Sequence, residues 1–353
     1  MNRPTNLLTA LAVVIMLTVP AVMAVASPGS DGDGEFPSYY DQLDINGKAI
    51  YDAVESAGVD TLSLTIDLPV ALTASSEEKG VASELVVNLA DSMVNDVFKA
   101  LRLSSPLAYW GWGASAVTYI KHEPDWESFT YTISSVTLSV SLDKYPPDPE
   151  TGHEGTVRKM IDDLRKAIDG FSTKSTGTRD KIMDINNYIV DLVTYDPNAG
   201  KEGESLYSHD AYGALAAPDH HAVCDGYSKA FLLLCEKENI DCVIVLGTAV
   251  PRMENHAWNY VKMDNGSWYA IDVTWNDGSN NAYFLQGGAN FFSEHQQGVY
   301  LGQGYTSYPF RNPPISISNY DSGGSGYEQY AWVLAIAIVA MISIVLIYAR
   351  GRI

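Results

Sequence analysis

Three cysteines, Cys224, Cys235 and Cys242, are all that the 353 residues contain. A small odd number excludes a disulfide framework and leaves at least one thiol unpaired. Basic residues are scarce too, with 22 Lys and Arg against 43 Asp and Glu, a formal net charge of −21. A field of that sign repels polyanions, so nucleic acid is excluded as a partner and cationic partners are favoured. Charged residues make up only 18% of the chain and apolar ones 46%. That balance rules out a disordered chain and allows the core of one large or two modest domains. No segment repeats, and no Cys-x-x-Cys pair offers a structural zinc site.

Long apolar runs occur only at the two ends. After Arg3, the run 7–24 closes on Ala24-Val25-Ala26 before Ser27, which predicts a secretory signal over 1–26 with cleavage before Ser27. Near the other end, 330–349 is a charge-free apolar stretch with aromatics at its edges and Arg350 and Arg352 beyond it. That is the pattern of a transmembrane helix with a short cytoplasmic C-terminus. The chain between is then extracellular, where an unpaired thiol persists only if it is buried or used. Without the three terminal arginines this portion is more acidic still. Asp31, Asp33 and Glu35 alternate with glycines like a fragment of a calcium loop but lack its length and its final bidentate glutamate. No cofactor and no required metal is expected.

Apolar spacing predicts helices at 41–57 and 84–103 and strands at 61–70, 115–120 and 129–142. These make a mixed α/β N-terminal region over 27–150, closed by the proline-rich 145–152. Helices are predicted again at 156–171 and 179–193, the second with Ile182, Ile185, Ile189 and Leu192 along one face, and a third opens at Cys224. Alternating runs at 242–247, 256–263 and 267–275 predict strands. Helices ahead of an antiparallel sheet define an α+β unit over 151–311. A Pro, Gly and Ser linker, 312–329, follows.

The chemistry concentrates in two stretches. In HHAVCDGYSKAF, Cys224 occupies the first turn of its helix. A helix N-terminus presents unpaired N–H groups and positive potential, which stabilise a thiolate and can pull a thiol well below its free value of about 8.5. Gly226 and Ser228 keep the flank small, as an approaching substrate backbone requires. In NHAWNYVKMDNGSWYAIDVTW, His256 and Asp272 lie on two runs joined by Asp264-Asn265-Gly266. A two-residue turn at Asn265-Gly266 would put them on opposite faces. A three-residue loop with Gly266 in the left-handed region pairs Met263 with Ser267 and makes them diagonal neighbours, about 7–8 Å apart at Cα. The second register is predicted, because it lets carboxylate reach imidazole. Cys224 then attacks an acyl carbon, His256 serves as base and acid, and Asp272 orients His256. The Cys224 backbone N–H is one oxyanion donor, and Tyr212 and Tyr195 are candidates for a second.

The runs VCDGYSKAF, NHAWNYV and WYAIDVTWND, with Cys, His and Asp in that order, resemble the microbial branch of the transglutaminase-like superfamily, and VTYD and AYGAL match the segments that lead into its cysteine helix. The resemblance covers about 156–292. More weakly, YYDQLDINGKAIYDAV and SSPLAYWGW resemble the N-terminal region often attached to that domain. The resemblance implies a papain-like α+β fold and thiol acyl transfer: peptide-bond hydrolysis, glutamine deamidation or amine cross-linking. The expected partner is a protein or peptide substrate at the cell surface.

Blander readings compete at each position. Cys235 and Cys242 are expected in the core, with a disulfide between them as the alternative. His220, His221 and Cys224, with distant His295, could ligate zinc, but that would consume the nucleophile. Trp258, Trp268 and Trp275 could line a groove, although aromatics on sheet faces are usually core. For the whole chain, the alternative to an enzyme is a non-catalytic module of the same fold that presents its groove to a surface peptide or polymer.

Overall fold

The computed structural model describes residues 36–321 apart from 59–60, 62, 108–113, 120–128, 301–304 and 307–308. The expected signal and the expected membrane helix both lie outside these residues. Among the described residues no helix is long and apolar enough to cross a membrane.

Asp44 accepts a hydrogen bond from the Gly47 N–H at 2.6 Å, so helix α1 (Ile45–Ser56) begins at this cap rather than at 41. Strand β1 (Ser63–Ser76) runs past the expected end and shifts register between Asp67 and Leu72. Helix α2 (Lys79–Ser104) buries Val86, Ala90, Val94, Val97 and Leu101, one stripe at helical spacing. Strands β2 (Ala114–Tyr119) and β3 (Phe129–Val140) complete an antiparallel sheet of order β1-β3-β2.

Helices α3 (Gly152–Gly170) and α4 (Thr178–Leu192) follow, with Ile182, Ile185 and Ile189 of α4 fully buried as its periodicity predicts. A two-residue strand β4 (Thr194–Tyr195), a short helix α5 (Ala211–Leu215) and a two-residue strand β5 (His221–Ala222) lead into α6 (Cys224–Lys237). Strands β6 (Cys242–Ala249), β7 (Glu254–Lys262) and β8 (Trp268–Ile271) form antiparallel neighbours. The short helices α7 (Val273–Asn276) and α8 (Gly288–Phe291) precede β9 (His295–Gln297), which pairs with β6 and makes the order β8-β7-β6-β9. At three residues, β9 is too short for alternation to reveal it. Strands β10 (Val299–Tyr300) and β11 (Tyr305–Thr306) form a hairpin beyond it.

The β7–β8 hairpin takes the three-residue loop: Met263 and Ser267 are joined by a 2.9 Å backbone bond, and Gly266 has φ +78°. Asn259 therefore faces Ile271, and Lys262 faces Trp268. The expected strand 267–275 stops early at Ile271. The Asp272 carboxylate accepts the Trp275 N–H at 3.0 Å and starts α7 there.

A continuous apolar core extends from Tyr39 to Phe310. Tyr227, Phe231 and Leu234 of α6 lie in it fully buried, each contributing roughly 1.5–3 kcal/mol. The Tyr39 hydroxyl donates to the Ile244 carbonyl at 2.6 Å, tying the start of the described chain to β6. The small residues after Cys224 serve packing rather than substrate access. A Cβ on Gly226 would lie 2.5 Å from the Ser208 carbonyl oxygen and 2.9 Å from the Ala222 Cβ, and Ser228 is buried. Gly226→Ala should therefore cost about 1–3 kcal/mol by overpacking. Urea unfolding measures this, and a midpoint equal to wild type would show that α6 is free to move away from the 208–210 segment.

Candidate active site

Three separate constraints bring Cys224, His256 and Asp272 together. Val223, the residue ahead of α6, makes no side-chain cap, so the N-terminal N–H groups around Cys224 are left to other acceptors. Register puts His256 and Asp272 on one face. His256 Nε2 lies 2.7 Å from Asp272 Oδ2; an ionised carboxylate only accepts, so Nε2 carries the proton. That leaves Nδ1 for Cys224, which is among the neighbours that raise the imidazole.

Burial alone would push His256 down, but the Asp272 charge, its hydrogen bond and the neighbouring Cys224 outweigh it and raise the imidazole to about 10. Asp272 is fully buried. Burial alone would raise it, but His256 and His295 overcome that and hold it at about 2.

Cys224 and His256 line one cleft, and Asp272 is buried against His256 outside its wall. The cleft volume is about 1080 Å³, and its walls include Tyr195, Cys224, Glu254, His256, Trp275 and Asp277. Carboxylates slightly outnumber basic side chains on these walls, with Asp196, Glu204, Glu254, Asp277 and Glu294 against Lys201, His209, Arg252 and His256. Parallel pairing of Tyr195 with Ala222 sets Tyr195 beside the start of α6. Burial first, and then the charge of Cys224, push the Tyr195 hydroxyl up to about 12, so it remains a proton donor. Tyr212 does not share this position: it is buried, packs edge-on against Tyr207 and is not part of the cleft wall.

Trp258 is fully buried, as expected of a sheet-face aromatic. Trp275 instead lines the cleft and stacks on His256, with ring centroids 5.1 Å apart. His220 bonds the Ala214 carbonyl and His221 lies beside Asp219; neither lines the cleft with Cys224, so the four residues of the competing zinc reading do not converge. His295 lies on Asp272, its Nε2 2.9 Å from Oδ2. His256, Asp272 and His295 have donor atoms within 4.8 Å of one another, a spacing these two hydrogen bonds explain. Cys235 and Cys242 are free thiols, the first buried and the second partly so.

A second charged group surrounds the residue next to Cys224. Asp225 is buried, with Arg102 of α2 on its Oδ2, Lys229 at 3.2 Å and His209 at 3.7 Å. Burial opposes ionisation, yet these cations hold its carboxyl well below the usual range. Lys229 is also buried, which lowers it to about 8, and its ammonium donates to the His209 carbonyl at 2.6 Å. The sequence did carry a signal for this pair, because Asp225 and Lys229 are i,i+4 charges ahead of the apolar run of α6.

Residues 165–273, which contain Cys224, His256 and Asp272, match the family described as the transglutaminase-like superfamily, transglutaminase core. Among curated proteins none matches the chain. Two of the solved structures that match are a TGase and a Cytophaga hutchinsonii protein proposed to be a cysteine protease. The first is 18% identical with a TM-score of 0.29, over 46% of this chain and 45% of its own. The second is 12% identical with a TM-score of 0.27, over 52% of this chain and 65% of its own. The chain thus spans less than two thirds of either, and at these scores neither likeness bears on what it does. The transglutaminase-like match falls on residues 165–273, and the described residues fold as α+β with helices packed on an antiparallel sheet.

The ion pair has consequences for stability at both ends of the pH range. Asp272 contributes fully above its unfolded value of 3.8 and loses that contribution as pH falls through about 2. His256 contributes fully below its unfolded value of 6.5 and loses that as pH rises through about 10. Asp272→Asn should flatten both limbs of a urea-midpoint profile, because it removes the carboxylate and the main force that raises His256. Limbs as steep as in wild type would mean that other groups carry the dependence.

Proposed function

We propose that the chain is an extracellular, membrane-anchored cysteine acyl-transfer enzyme that acts on peptide bonds or glutamine side chains of surface proteins. One observation carries the reading: His256 lies between the Cys224 thiol and the Asp272 carboxylate within an open cleft. The transglutaminase-like domain supports the reaction class. The signal and spanning patterns in the sequence support the location.

The chemistry follows from the placement of protons. His256 holds the Cys224 proton on Nδ1 as a thiolate–imidazolium pair, and the thiolate attacks the acyl carbon, forming the C–S bond. The oxyanion falls to the Cys224 N–H and the Tyr195 hydroxyl. When the C–N bond breaks, the imidazolium protonates the departing amine. Water then attacks the thioester, gives its proton to His256 and releases the acid, which restores the thiol. An amine in place of water would give transfer. Hydrolysis is the favoured outcome, because Cys224 is partly exposed in the cleft and water is always at hand. The acidic walls favour substrates with cationic side chains near the scissile bond.

In the full-length protein at about pH 6, Cys224 should alkylate at least ~10 times faster than Cys235 and Cys242, and His256→Ala should abolish the difference. Mass spectrometry resolves the three sites. With a glutamine-containing peptide, new carboxylates report hydrolysis, whereas retained amine mass reports transfer. Equal, slow labelling of all three thiols would sink the enzyme and leave a binding module of the same fold.

A further inference from the structure

His295 is buried, and the proposed chemistry leaves it without a task. Its place is nevertheless closely specified. Antiparallel pairing with Ala249 fixes its backbone. Phe291 stacks on the imidazole with ring centroids 3.8 Å apart, Trp275 lies at 4.4 Å and Trp258 packs edge-on at 5.0 Å. Nδ1 faces the Phe291 carbonyl at 3.3 Å.

For packing alone an aromatic hydrocarbon would serve in such a pocket. An imidazole differs by its N–H, and here Nε2 meets the same Asp272 oxygen that receives His256, at 2.9 and 2.7 Å respectively. With Oδ1 held by the Trp275 N–H, a single imidazole on Oδ2 would still let the carboxylate tilt about that bond. A second N–H, coming from a rigid ring on β9, defines its plane.

We propose that His295 is a positioning residue whose Nε2–H orients the Asp272 carboxylate so that His256 keeps Nε2 on Asp272 and Nδ1 toward Cys224. This role rests on the reading of Cys224 and His256 as nucleophile and base. It does not require His295 to touch substrate. Among natural side chains, glutamine can offer an N–H near the Nε2 position, whereas phenylalanine keeps the ring and loses the donor.

The test is the pH profile of Cys224 alkylation by iodoacetamide in the full-length protein, with thermal melting as a check on folding. His295→Phe should slow labelling near pH 6.5 by about tenfold or more and move the profile to higher pH, in line with the usual effect of removing a supporting hydrogen bond. His295→Gln should stay within about threefold of wild type. In an Asp272→Asn background, His295→Phe should add less than about twofold, because both changes break the same link. An unchanged profile in His295→Phe, or an equal loss in both backgrounds, would overturn the role. If the Phe variant does not fold, His295→Gln decides: a near-wild-type rate supports the role, and a fall to the His256→Ala rate overturns it. Wild-type Cys224 that is indifferent to His256→Ala would sink the enzyme itself and this role with it. Activation in wild type that survives His295→Phe would sink only the role.

Discussion

The Asp272 carboxylate is the constraint around which the cleft is organised. Fully buried, it must find partners for both oxygens or become neutral. It finds them in three N–H donors, from His256, His295 and the backbone of Trp275. Each donor belongs to a different element, so one charge ties β7, β9 and α7 at a single point. The Trp275 bond also ends β8 and turns the chain, which carries the Trp275 ring onto His256.

The opposite wall depends on a helix start that is crowded from behind and open in front. Gly226 lets α6 approach the 208–210 backbone, and Asp225 gathers Arg102, Lys229 and His209 around the residue next to Cys224. Arg102 comes from α2, so the N-terminal region reaches the residue next to Cys224. A buried carboxylate with several cations is a poor source of net stability but a strict specifier of geometry. The two buried aspartates thus set the two halves of the cleft, one holding the imidazole and the other fixing the helix that bears the sulfur.

Much of this was legible in the chain. The α4 stripe follows from apolar spacing, since burial on one face is what the period records, whereas α6, β6 and β7 were legible as elements although both of their faces are buried. The hairpin register was also legible, because only a glycine accommodates φ near +78° at low cost and only that loop puts His256 and Asp272 on one face. His295 was visible as a residue but not as a partner. Its strand is three residues long, and nothing within 23 positions of chain says that it folds back to Asp272. Tyr195 and Tyr212 were equivalent in sequence, and they were separated by a two-residue parallel pairing that no pattern predicts. The role of Gly226 was misread for the same reason, because the atom it must avoid is a carbonyl 18 residues away.

By itself, then, the sequence determined the order of Cys224, His256 and Asp272, the α+β class and the register of one hairpin, since each is a local property of spacing and turn chemistry. Only the tertiary structure decided that a second imidazole shares the carboxylate, that Tyr195 rather than Tyr212 lines the cleft with Cys224, and that Asp225 is buried among cations. The physical reason is range: periodicity and turns act over a few residues, whereas a buried charge takes its partners from wherever the fold delivers them.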